Sequence, residues 1–114
     1  MPNPVSYDNV QGQFADISAA STVWLNAPSA GYLRSVQITL VNAITTADSI
    51  VTFKVDNVAV GTALTIAFTG SAKGTAFIRE FQNVPVKKGS LIEVISDGAS
   101  STTCIAPVNV TLSP

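Results

Sequence analysis

"SIVTFKVDN", residues 49–57, decides the fold. Val51, Phe53 and Val55 alternate with Thr52, Lys54 and Asp56. Successive side chains of a strand point to opposite faces, so an apolar period of two marks a strand with one buried face. Asp56-Asn57 then reads as a turn, because both residue types tolerate left-handed and turn geometry.

The same period recurs on either side. In "GYLRSVQITLV" (31–41), Val36, Ile38 and Leu40 share one face, and Ser35, Gln37 and Thr39 share the other. "VAVG" (58–61) follows the turn, and Gly61 marks a bend. "ALTIAF" (63–68) alternates through Leu64, Ile66 and Phe68, and "TGSAKG" (69–74) is a loop by composition. In "AFIREF" (76–81), Phe77, Arg79 and Phe81 share a face. Arg79 is out of character there: it sits at a sheet rim, or it faces outward while Ile78 faces in. "CIAPVNVTL" (104–112) alternates Val108, Val110 and Leu112 against Asn109 and Thr111.

"VPVKKGSLIEVISDG" (84–98) combines charge with a strand pattern. Pro85 belongs at a strand boundary, and Lys-Lys-Gly forms a turn for which glycine supplies the positive φ. Leu91, Glu93 and Ile95 lie on one face, Ile92 and Val94 on the other. Apolar residues on both faces predict a nearly covered strand, with Glu93 at an edge or paired with Arg79 or Lys88.

No segment has a convincing helical period; "ADISAAST" (15–22) is the one brief helix candidate, and its Ser and Thr content weakens it. Seven or eight short antiparallel strands separated by turn signals predict an all-β sandwich of jelly-roll type.

At 114 residues the chain is long enough for one domain with a real core. Hydrophobic residues make up 46% and charged residues 11%, against a usual charged fraction of roughly 25%. Disorder runs to the opposite composition. With 24 Ser and Thr residues, the surface is neutral and hydroxylated, which suits a protein standing beside copies of itself or another protein. The net charge is −1 and no basic run extends past Lys87-Lys88, so no nucleic-acid partner is expected. The apolar runs are far shorter than the roughly 20 residues of a spanning helix, so no membrane partner is expected either. "MPNPVSYDNVQ" lacks a basic region followed by an apolar core, and no secretory signal is expected.

The chain has no histidine and one cysteine. Ser-His triads, His-ligated metals and intrachain disulfides are therefore excluded. Cys104, beside Ile105 and Ala106, reads as a small buried hydrophobe with no histidine to activate it. Asp48, Asp56 and Asp97 fall outside a calcium-loop pattern and read as loop residues. Asp8 and Asp16 are too isolated to form a carboxylate pair, and nothing in the spacing of Glu80 and Glu93 demands one. No enzyme activity, cofactor or metal is expected.

Residues 1–16 carry Pro2 and Pro4 and few periodic apolar positions. They read either as a frayed terminus or as an extended arm reaching a neighbour, anchored by Val5, Tyr7, Val10 and Phe14, ahead of a sandwich domain at 17–114. Trp24, in "TVWLNAPSAGYL" (22–33), reads as a core or subunit-interface residue, or as a sugar-stacking platform assisted by Tyr32.

The pattern "GYLRSVQITLVNA…VTFKVDNVAVG…VPVKKGSLIEVISDGAS" resembles the small β-sandwich virion proteins of tailed bacteriophages, nearest the head decoration, or cement, proteins; the resemblance covers roughly residues 20–112. It implies a homotrimer on the capsid surface that binds the major capsid protein and stabilises the shell, often through a terminal arm. The same style occurs in tail-fibre head domains that bind host glycans, which makes a carbohydrate- or receptor-binding domain the alternative.

Overall fold

The computed structural model describes residues 8–114, as nine β-strands. They are β1 (Asp8–Phe14), β2 (Ser21–Asn26), β3 (Gly31–Thr39), β4 (Ser49–Val55), β5 (Val58–Ala59), β6 (Leu64–Ile66), β7 (Ala76–Val86), β8 (Leu91–Ser96) and β9 (Ala106–Ser113). No helix occurs among the described residues; of the brief helix candidate 15–22, residues 15–20 form bends and turns and residues 21–22 open β2.

The pairing is that of a long hairpin rolled on itself. β1 pairs β9, β2 pairs β8, β3 pairs β7, and β4 pairs both β5 and β6, all antiparallel. β5 meets Lys54 and Val55 while β6 meets Ser49, Ile50 and Val51, so the two act as one interrupted edge strand. Rolling then sets β9 against β3 and β8 against β4. Two sheets result, β1-β9-β3-β7 and β2-β8-β4-β5, with β6 off β4. This is the jelly-roll order expected from the sequence.

Local chemistry explains the joints. Asp56 and Asn57 have φ of 50° and 68° and form the two-residue link between Val55 and Val58, which are paired. Positive φ at both centres is the hairpin turn whose twist matches its strands. In the Lys87–Ser90 turn, the N–H of Ser90 donates to the carbonyl of Lys87 at 2.9 Å, and Gly89 takes the left-handed φ of 87° at its third position. In β3 both neighbouring registers shift between Leu33 and Ser35. The extra residue there lets Leu33 face the core along with Val36 and Ile38, although they differ in parity.

The core lies between the sheets. Phe53 of β4 meets Phe81 of β7 edge to face, centroids 5.3 Å apart, which adds to simple area burial. Leu33, Val36, Ile38, Val108 and Val110 face them from one sheet, Val51, Ile92 and Val94 from the other.

The beginning of the chain departs from the expectation. Residues 1–7 lie outside the described residues, and with them the proposed anchors Val5 and Tyr7. Residues 8–14 are not an arm: β1 is an edge strand fully registered on β9, from Asp8↔Leu112 to Phe14↔Ala106. Phe14 is buried and Val10 packs on the core, so neither is free to anchor a partner. The sandwich thus already includes residues 8–14, ahead of the expected start at 17. Asp16 ties the end of this segment down, its Oδ1 accepting the N–H of Ser18 at 3.0 Å and of Cys104 at 3.1 Å.

Candidate functional site

Cys104 and most acidic side chains are committed to structure. Cys104 is fully buried, its Sγ 3.4 Å from the carbonyl of Asn42. Asp48 Oδ1 accepts the N–H of Phe68 at 3.0 Å, and Asp97 Oδ1 accepts those of Ile50 and Ala99, each at 3.0 Å. Asp56 accepts the Leu91 N–H and the Ser90 hydroxyl, both at 2.9 Å. The N–H of Leu91 first and the Ser90 hydroxyl second hold the Asp56 carboxyl below its usual 3.8. The Ser18 hydroxyl chiefly, helped by the N–H groups of Cys104 and Ser18, does the same for Asp16. These carboxylates staple loops to strands. Among the described residues, no three Asp, Glu or Cys side chains gather where a metal ion could be held.

Arg79 takes the rim position of its two alternatives. It lies on the inner side of β7, opposite Val36, and its Nη2 donates to the Ala63 carbonyl at 2.7 Å. Ile78 faces out and is 55% exposed. Glu93 differs from both expectations. β8 is an interior strand, so Glu93 is not at an edge; it points outward in register between Trp24 of β2 and Lys54 of β4.

What remains available to a partner is the pair of outer faces, and their chemistry differs. On the β2-β8-β4 sheet, Trp24 is 65% exposed. It stands opposite Glu93, with Leu91 and Ile95 on the diagonals, close enough for a large side chain to touch. Leu91, Ile95 and Ile50 are half-buried there, so apolar side chains flank the projecting indole on its diagonals while Glu93 and Lys54 continue its own row.

The β1-β9-β3-β7 face is neutral and polar. One cross-strand row reads Gln11, Asn109, Gln37, Ile78, and the next reads Asn9, Thr111, Ser35, Glu80. Glu80 carries the only charge in these two rows. An open groove of about 600 Å³ runs beside the second row, lined by Arg34, Ser35, Glu80, Phe81, Gln82 and Thr111. Arg34 occupies the β3 bulge, and its Nε donates to Ser113 Oγ at 2.7 Å. A smaller hollow of about 190 Å³ lies over the amide row. Within it Asn109 Oδ1 has no hydrogen-bond partner among the described residues; such a group costs roughly 1–3 kcal/mol while unmet. Glu80 is the one carboxylate of the larger groove, so the acid–base pair of a glycoside hydrolase is missing from its lining.

The structure does not bring Trp24 and Tyr32 into one platform. Tyr32, 42% exposed, belongs to β3 and stands on the other sheet, beside Ser113 and Pro85. The amide row escaped sequence reading because its members come from three strands far apart in the chain. No protein-family model matches the chain, and no curated protein matches it.

Proposed function

We propose that this protein is a virion structural protein: a jelly-roll module that decorates a bacteriophage capsid as a homotrimer, bound to the major capsid protein and stabilising the head. The observation that carries the reading is Trp24, projecting 65% exposed from a sheet face where Leu91 and Ile95 flank it. A large aromatic held out on a rigid strand is costly to leave in water, and such residues anchor interfaces. A specific contact needs about 800 Å² from each partner, and the outer face of a sandwich sheet can present such an area. Three copies around a local threefold axis would multiply modest contacts by avidity. The loop-stapling carboxylates and the single-carboxylate groove favour binding over chemistry.

The test is direct. Immunogold labelling of purified phage particles with antibody to this protein is expected to decorate the heads, and sedimentation of the free protein is expected to give a trimer that Trp24→Ser weakens without changing the β-type circular dichroism. Absence of the protein from purified particles would refute the capsid reading, and a strict monomer the trimer.

A further inference from the structure

The β1-β9-β3-β7 face has no part in the interface just proposed, and its chemistry is of another kind. We infer that it is a binding site for a linear, neutral oligosaccharide lying across the strands, with Gln11, Asn109 and Gln37 as the polar floor, Ile78 as the apolar end, and Arg34 and Glu80 at the adjoining groove. The inference does not depend on whether the protein sits on a capsid.

Three features support this occupant over others. The first is charge. The amide row is uncharged, and Glu80 and Arg34 of the neighbouring groove are of opposite sign. A nucleic acid, an anionic lipid surface or a sulfated glycan would meet no cationic field here, whereas a ligand dense in hydroxyls and free of charge would meet donors and acceptors together. Each primary amide offers two N–H donors and a carbonyl acceptor, the complement of vicinal hydroxyls that both donate and accept. The Arg34 guanidinium and the Glu80 carboxylate extend the same pattern.

The second is spacing. Gln11, Asn109, Gln37 and Ile78 are direct cross-strand neighbours, and adjacent strands lie about 4.8 Å apart. That step is close to the length of one pyranose unit in an extended glycan, so successive sugars running across the sheet meet successive strands. Ile78, 55% exposed at the end of the row, provides the apolar surface on which the C–H face of a sugar ring can rest.

The third is the unmet acceptor. Asn109 Oδ1 has no hydrogen-bond partner among the described residues, although it is screened from solvent. It lies in the middle of the row, in the hollow bounded by Gln11, Gln37, Thr39 and Pro107. A ligand hydroxyl that reached it from the hollow would supply the donor it lacks.

The experiment uses the full chain on a printed array of neutral oligosaccharides built from hexoses and N-acetylhexosamines, with sulfated and uronate-containing glycans beside them. The best neutral hit is then titrated into isotopically labelled protein and followed by NMR. The expected result is binding at a Kd of about 1 mM or tighter, with shift changes at Gln11, Gln37, Ile78 and Asn109. Gln37→Ala is expected to weaken it about threefold to tenfold, Gln11→Ala and Gln37→Ala together to abolish it, and Trp24→Ser to leave it unchanged; dispersed spectra of the variants establish that they are folded. Absence of any neutral hit overturns the assignment, as does binding confined to the charged glycans, or shift changes confined to Trp24 and its neighbours. Concentration-dependent shifts on this face without sugar would make it a contact with a second copy, and would also overturn it. Virion location is not read by this experiment, so a failure to bind any neutral glycan leaves the preceding proposal standing.

Discussion

Asp56 shows how much one exposed side chain can hold. It occupies a left-handed hairpin position, its own N–H donates to the Leu91 carbonyl at 2.8 Å, and its carboxylate takes the Leu91 N–H and the Ser90 hydroxyl in return. Because those donors favour the ionised form, its carboxyl titrates below the usual 3.8. A depressed folded value means stability that is present above 3.8 and lost as pH falls through the folded value. Asp16 acts in the same direction, so acid unfolding draws on both. Asp56→Asn should therefore lower the urea midpoint at pH 7, and the gap to wild type should shrink once the pH is below the carboxylate range. A gap of equal size at both pH values would show that the charge is not what clamps the turn. Cys104 provides a second check at this scale. It is fully buried, so a thiol reagent such as DTNB should modify it only as fast as the native state opens, and rapidly in denaturant. Fast labelling of the native protein would contradict its position.

Strands with clear alternation could be read directly: Val51, Phe53 and Val55 in β4, and Ala106, Val108, Val110 and Leu112 in β9, all face the core. β1 could not. Its inward positions are Val10, Gly12 and Phe14, and the glycine breaks the apolar pattern. Gly12 is there because a Cβ would come within 2.9 Å of Val23 Cγ1 and 3.0 Å of Leu25 Cδ2 on β2, so the opposing strand occupies that space. Only tertiary packing supplies this reason, which is why the stretch resembled a sparse arm. Two substitutions test the corrected assignment. Phe14→Ala should cost about 3–5 kcal/mol in chemical denaturation, as for a large aromatic removed from a core. Gly12→Val should cost about 1–3 kcal/mol by overpacking the seam between the sheets. If both variants unfold at the wild-type midpoint, β1 is not part of the cooperative unit. The face on which Trp24 and Tyr32 stand was hidden for a related reason. Local alternation says that a residue points away from the core, but not which sheet its strand will join. The amide row depends in addition on register between strands as distant as Gln11 and Asn109.

Across the whole molecule the two outer faces divide the work proposed for it, an indole flanked by aliphatic side chains on the first and a row of uncharged amides on the second. If Trp24 is the anchor of self-association, its fluorescence should shift to shorter wavelength and its quenching by acrylamide should fall as protein concentration rises through the assembly range. Emission unchanged from dilute to concentrated solution would place the indole outside any contact. The rolled hairpin also has a consequence for biosynthesis. β9 is inserted between β1 and β3, and the ribosome delivers it after the eight other described strands. Until then β1 lacks the one strand it pairs with among the described residues, and one flank of β3 stays open. Unpaired flanks of this kind recruit foreign strands. The β1-β9-β3-β7 sheet is therefore complete only once β9 is in place, and a nonsense codon ahead of Ala106 would yield a sticky product instead of a smaller working one.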